Sequence, residues 1–171
     1  MSPNRWIAVT LFAALVATLV AIGVASGTPP SGVKSAAVMA RGDFPDRVDL
    51  KLKFRPAHGN GLRVAQARRA GEVVFQQIVI EPGGHTGWHS HPGPVVVVVK
   101  SGALTYVPAE DRSCQGRTYV AGEAFVDPGQ GHVHIARNLS GEDLELWATY
   151  FDVPPGGAFR LDRPDPGRCP F

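Results

Sequence analysis

The chain has 171 residues with 17 Lys+Arg against 15 Asp+Glu, a formal net charge of +2; that length holds one domain plus a targeting segment and leaves little room for two cores. The balanced charge excludes the polybasic footprint of a nucleic-acid binder, so no nucleic-acid partner is expected. Gly (20) and Pro (15) are frequent but follow no repeat, which excludes collagen and predicts many turns between short strands.

The first segment reads as an address. Trp6–Ala25 carries no charge, 17 of its 20 residues are apolar, and Arg5 stands just ahead of it. A positive end followed by an apolar run is an export pattern, and this run is also long enough to cross a bilayer. Residues 1–26 therefore predict an N-terminal apolar export helix, either a signal peptide cut near Gly23–Ser26 or a retained membrane anchor. The protein is expected outside the cytoplasm, secreted, periplasmic or anchored, and touching a membrane only through this segment. Residues 27–37 (GTPPSGVKSAA) have no apolar repeat and read as a linker.

From Arg47 the pattern turns to strands. Val48, Leu50, Leu52 and Phe54 share one parity while Asp49, Lys51 and Lys53 take the other, the period of a half-buried strand. A turn follows at PAHGNG, where His58 reads as a solvated loop residue. Leu62–Ala67 reads as a short strand, and Val73–Ile80 as a longer one stopped by Pro82-Gly83-Gly84. Val95–Lys100 (VVVVVK) is expected to be buried on both faces. Ala103–Val107, Tyr119-Val120, Glu123–Asp127, His132–Arg137 and Leu144–Asp152 complete eight to ten strands. No segment after the leader has a helical repeat, so an all-β sandwich or barrel over residues 38–155 is expected, followed by a C-terminal tail at 156–171.

Cys114 and Cys169 are the only cysteines. Outside the cytoplasm they are expected to form a disulfide tethering the tail to a mid-chain loop. They form no C-x-x-C, so redox chemistry is not expected.

Five of the six histidines fall in two clusters, His85-Thr86-Gly87-Trp88-His89-Ser90-His91 and His132-Val133-His134. An H-x-H pair in an extended segment puts both imidazoles on one side, and imidazole is a common ligand for transition metals. Two such pairs on neighbouring strands would converge on one ion. Trp88 reads as a packing residue or a wall of the pocket mouth. Tyr106, Tyr119 and Tyr150 read as packing residues, with substrate orientation or acid–base work as the alternative.

With these residues in view, the chain resembles the cupin superfamily. The first cupin motif is a glycine, five residues, H-x-H, then a glutamate and a glycine; here Gly83 is followed by His89-Ser90-His91 and Gly102. The second motif is matched by Gly122, Pro128, Gly131, His134 and Asn138, with one extra residue between Pro128 and Gly131 read as a harmless loop insertion. The resemblance implies a cupin-type double-stranded β-helix, or jelly-roll barrel, with His89, His91 and His134 as metal ligands. It also implies dioxygenase, isomerase, decarboxylase or oxidase chemistry, and frequent homodimers. The motif glutamate falls at Val95 or Val96, so the carboxylate is missing. His132 or His85 is then an extra ligand or a supporting residue, and Glu81 reaches the site only through a loop excursion. The expected cofactor is one divalent transition metal ion, with Fe, Mn, Zn, Ni and Cu all open. A neutral three-histidine set keeps the ion's full charge, favouring an anionic small molecule and leaving open positions. Two functions follow: a metal-dependent, dioxygenase-like oxidoreductase, or a non-catalytic module that binds a small ligand or metal. Asn138-Leu139-Ser140 matches a glycosylation acceptor but coincides with the motif end, where Asn138 is expected to support a turn.

Overall fold

A computed structural model describes residues 27–55 and 61–169. The predicted leader, most of the PAHGNG turn and His58 lie outside the described residues. The described chain is all-β: β1 (Ser31–Asp43), β2 (Leu50–Phe54), β3 (Arg63–Ala67), β4 (Glu72–His85), β5 (His89–Ser90), β6 (Val95–Ser101), β7 (Ala103–Pro108), β8 (Arg117–Val120), β9 (Ala124–Asp127), β10 (His134–Arg137), β11 (Leu144–Val153) and β12 (Leu161–Asp162). Among the described residues no helix is long and apolar enough to cross a membrane.

Ten strands form one sheet that curls into a nearly closed barrel. Its order is β12-β5-β10-β4-β11-β6-β9, with β1 added to β4 and the β7–β8 hairpin added to β10. The central β4–β11 ladder pairs Ile80 with Leu144, Ile78 with Leu146 and Val74 with Tyr150. Inside, Val74, Ile80, Val95, Val99, Leu104 and Leu144 are essentially fully buried, and each contributes about 1.5–3 kcal/mol by leaving water. The β2–β3 hairpin stands apart as a second sheet. It shows the predicted alternation, with Leu50, Leu52 and Phe54 half-buried and Lys51 and Lys53 exposed. A lone hairpin is marginal in water; Gln130 Nε2 ties it to the barrel by donating to Gln66 O at 2.6 Å.

Three expectations change. The segment 31–37, read as linker, is the first half of β1, paired with β4. Its side chains are almost all exposed, so no hydrophobic pattern marks it; the backbone ladder holds it. β4 does not stop at Pro82: Ile80 pairs with Val33 and His85 with Ser31, and Glu81–Gly84 bulges between them. A bulge is where a strand tolerates a proline. The valine run of β6 is buried on one face only, because Val98 is 43% exposed beside Trp147.

The tail is structural too. β12 pairs with β5, placing Asp162 opposite His89, and Arg163 Nε donates to Ser90 Oγ at 2.9 Å. Cys114 and Cys169 form the expected disulfide. It encloses a small core of Trp88, Val107 and Ile135, so Trp88 is a packing residue. Asn138 is fully buried, with its amide donating to Ile80 O and Glu142 O, as expected for a turn support and unlike an exposed glycosylation acceptor.

Candidate metal centre

Strand pairing brings the two histidine stretches together. β5 runs antiparallel to β10 with His89 directly opposite His134. His91 lies two residues beyond His89, just past the end of β5, and its ring centroid is 4.9 Å from that of His89. The three ring centroids are 4.3, 4.9 and 5.2 Å apart, and one ring nitrogen of each lies within 4.8 Å of the others. All three side chains are buried.

The proton on each ring is fixed by its Nδ1 partner. His89 Nδ1 is 2.8 Å from Gly87 O, and His91 Nδ1 is 2.7 Å from Phe159 O. His134 Nδ1 is 3.1 Å from Asp127 Oδ2. A carbonyl or carboxylate oxygen only accepts, so each ring donates at Nδ1 and keeps the Nε2 lone pair free. Burial, reinforced by the neighbouring rings, holds His89 well below the usual histidine range and His91 at about 4. Burial also lowers His134, outweighing the pull of the Asp127 carboxylate. At neutral pH the cluster therefore offers three uncharged imidazoles, the form a metal binds.

β9 brings a buried carboxylate to the cavity, opposite the β6 position where the motif glutamate is missing. Val95, the inward-facing valine of the two, lines a cavity of about 40 Å³ against the three rings, and Val96 does not. Across the ladder from Val95 stands Asp127, which lines the same cavity and is 1% exposed. Asp127 accepts from His134, from the Tyr106 hydroxyl at 2.5 Å and from the Gly129 N–H at 2.6 Å. Burial alone would raise this carboxyl; the His134 ring and the bonds from His132 and Tyr106 outweigh it and hold it below the usual range. The Pro128–Gly131 loop thus reaches the centre through one hydrogen bond, from Gly129 N–H to Asp127. Gly129 has φ +61, and a Cβ there would lie 1.7 Å from Gly93 O, so only glycine delivers this N–H.

His132 precedes β10 and does not join the three rings. Its Nε2 is 2.8 Å from Glu110 Oε1, and its Nδ1 is 3.2 Å from the Tyr106 hydroxyl and 3.6 Å from Asp127 Oδ2. Burial lowers His132, but Asp127 and Glu110 together raise it above its ordinary value. A polar chain thus runs from exposed Glu110 through His132, Tyr106 and Asp127 to His134. Asp127, His132 and His134 form a second group with metal-ligand spacing; their contacts already serve as hydrogen bonds. His85 joins neither group, and its Nδ1 accepts the Gly87 N–H at 3.1 Å. Glu81 lies in the β4 bulge, away from the cavity lining.

Two contributors escaped the sequence reading. Phe159, in the supposed tail, supplies the carbonyl that fixes His91. Asp127 carried one usable signal: it closes a strand immediately before the second motif's proline, where the chain turns toward His134.

No protein-family model matches the sequence, and no curated protein matches it. Several solved structures are similar to it. A cupin-2 domain containing protein from Shewanella frigidimarina is 26% identical over 45% of this chain and 68% of that one, with a TM-score of 0.37. Oxalate oxidase in complex with the substrate analogue glycolate is 24% identical over 47% of this chain, with a TM-score of 0.38, and the match spans 41% of its length. A conserved protein with a double-stranded β-helix domain from Klebsiella pneumoniae is 23% identical over 64% of this chain and 90% of that one, with a TM-score of 0.44.

Proposed function

We propose that this protein is an exported cupin-type barrel that holds one divalent transition metal ion through His89, His91 and His134 and acts as a metal-dependent oxidoreductase on a small anionic molecule. One observation carries the reading: three buried, neutral imidazoles, each with its Nδ1 proton donated elsewhere, face a common cavity with Nε2 free. That donor set fits Fe, Mn, Ni, Cu or Zn. When bound, such an ion supplies Lewis-acid polarisation or one-electron chemistry.

The chain's own groups do the rest. Asp127 orients His134 and increases its basicity, as a carboxylate behind a ligating histidine does. The Phe159 and Gly87 carbonyls hold the other two rings. Val95, Val97 and Tyr150 keep the cavity apolar and small, and a dry site strengthens every charge interaction inside it. Tyr106 keeps its proton, since burial and then the Asp127 charge raise it well above the phenol range. It therefore acts as a hydrogen-bond donor in the wall. Export is supported by the Arg5–Ala25 pattern and the disulfide. A homodimer belongs to the same proposal, supported by the exposed Phe75, Val98 and Trp147 on the outer sheet face, and light scattering tests it.

The alternative, a module that captures ligand or metal without turnover, is favoured by the cavity's size. About 40 Å³ holds on the order of three waters, too little for most organic substrates beside an ion. Metal analysis of the exported protein, followed by oxygen uptake on small carboxylates and phenols, separates the two. Iron or manganese with uptake supports the oxidoreductase; tight metal binding without turnover supports metal capture; no metal binding rejects both of these and leaves only capture of a small ligand.

A further inference from the structure

We propose that a second cavity, on the outer side of Tyr106, is a binding site for a small aromatic carboxylate. The cavity has a volume of about 290 Å³ and lies between the β2–β3 hairpin and strands β7–β9. That is at the lower edge of the roughly 300–1,000 Å³ of small-molecule sites. Tyr106 and Phe125 line both this cavity and the histidine cavity, so the two are neighbours sharing a wall.

Its chemistry divides into two halves. One is aromatic. The Tyr119 and Phe125 rings stack at 4.3 Å, Tyr106 packs on Phe125 at 5.1 Å, and Phe54 faces them from β2. Flat apolar walls of this kind suit a planar ring. The other half is cationic, formed by Arg55, Arg63 and Arg117. Among the described residues none of the three takes part in an ion pair. The Arg117 guanidinium lies over the Tyr119 ring at 4.8 Å, which presents its donors at the aromatic wall. The one carboxylate in the lining, Glu110, is engaged by His132 at 2.8 Å. Three guanidinium groups against one carboxylate, which also acts on Arg63, leave the lining net positive, and the guanidinium fork matches a carboxylate in shape and charge. A ring with one carboxylate satisfies both halves; a neutral ring or an aliphatic acid satisfies one. None of these recognition groups belongs to the histidine cluster, so the site stands with or without a bound metal.

Calorimetric titration of the full chain with benzoate tests this, in the protein as purified and after chelation. Benzamide supplies the ring without the charge, and acetate the charge without the ring. Benzoate is expected to bind saturably at one site, at least tenfold tighter than either comparison, and equally before and after chelation. The double variant R63Q/R117Q is expected to weaken benzoate at least tenfold and benzamide less than twofold, while R63K/R117K retains part of the benzoate affinity. Absence of saturable benzoate binding overturns the proposal, as does benzamide binding as tightly as benzoate. Loss of benzoate on chelation with R63Q/R117Q unaffected also overturns it, because the anion would then sit at the histidines.

Discussion

Replacing Asp127 with asparagine changes one charge at the heart of the centre and little of its shape. The side chain is 1% exposed and accepts from the Gly129 N–H, the Tyr106 hydroxyl and His134 Nδ1. In the D127N variant the amide oxygen stays with Gly129, whose N–H has no other orientation in a loop held by φ +61. The NH₂ then faces Tyr106 and His134. The Tyr106 hydroxyl can turn and accept. His134 Nδ1 now meets a donor, so the ring is relieved by moving its proton to Nε2, the nitrogen a metal requires. Metal binding must reverse that shift and also loses the carboxylate's support. Removing a group behind a metal-binding histidine costs about 10–100-fold in affinity, or about 1.4–2.8 kcal/mol. Competition titration with Zn²⁺ against a chromophoric chelator measures it. The E110Q variant, at the exposed end of the polar chain, is expected to change affinity less than threefold. If D127N binds Zn²⁺ as tightly as the parent protein, Asp127 does not hold His134 in its ligating form and the reasoning fails.

Further outcomes follow from the same structure. Val95 lines the cavity and Val96 does not, so V95E sets a second carboxylate beside Asp127; thermal melts should show a larger metal-induced rise for V95E than for the parent, and V96E should show no change. An equal response from both places the vacant motif position elsewhere. A histidine unfolds to a pKa near 6.5, whereas His91 titrates at about 4 in the fold. The unfolded state takes up the proton first, so metal-free stability is full above about pH 6.5 and falls toward pH 4, by roughly 3 kcal/mol from this residue alone. Urea midpoints that stay flat across that interval contradict the buried neutral ring. The double variant C114S/C169S releases a 55-residue loop and should lower stability by about 2–4 kcal/mol; denaturation by guanidinium under non-reducing conditions reads the difference, and no change means the bridge is dispensable. G129A should destabilise the fold by more than 1 kcal/mol, since the added Cβ meets Gly93 O and a positive φ resists a side chain; a melting temperature equal to the parent's would count against the loop's role.

Much of this was legible in the residues. The parity of Leu50, Leu52 and Phe54 marked β2, and the spacing of Gly83, His89, His91, Gly122 and His134 marked the strands that meet at the centre. What stayed hidden has a common physical cause. Strand β1 is held by its backbone and leaves its side chains in water, so no hydrophobic period reports it. The Phe159 carbonyl acts through the main chain, which a sequence does not display. Asp127 reaches the centre through the pairing of β6 with β9, and register between distant strands is set by the closed sheet rather than by either strand alone. The bulge at Glu81–Gly84 resembles a strand end when Pro82 and two glycines are read locally. His132 shares an H-x-H with His134, but it lies outside β10, so the two-residue period no longer aligns the rings.

The most direct test is a crystal structure of the metal-loaded protein with anomalous scattering collected at the ion's absorption edge. One ion bonded to Nε2 of His89, His91 and His134, with Asp127 against Nδ1 of His134, is the predicted result. An ion seated among Asp127, His132 and Nδ1 of His134, or no ion at the three rings under saturating metal, contradicts the assignment.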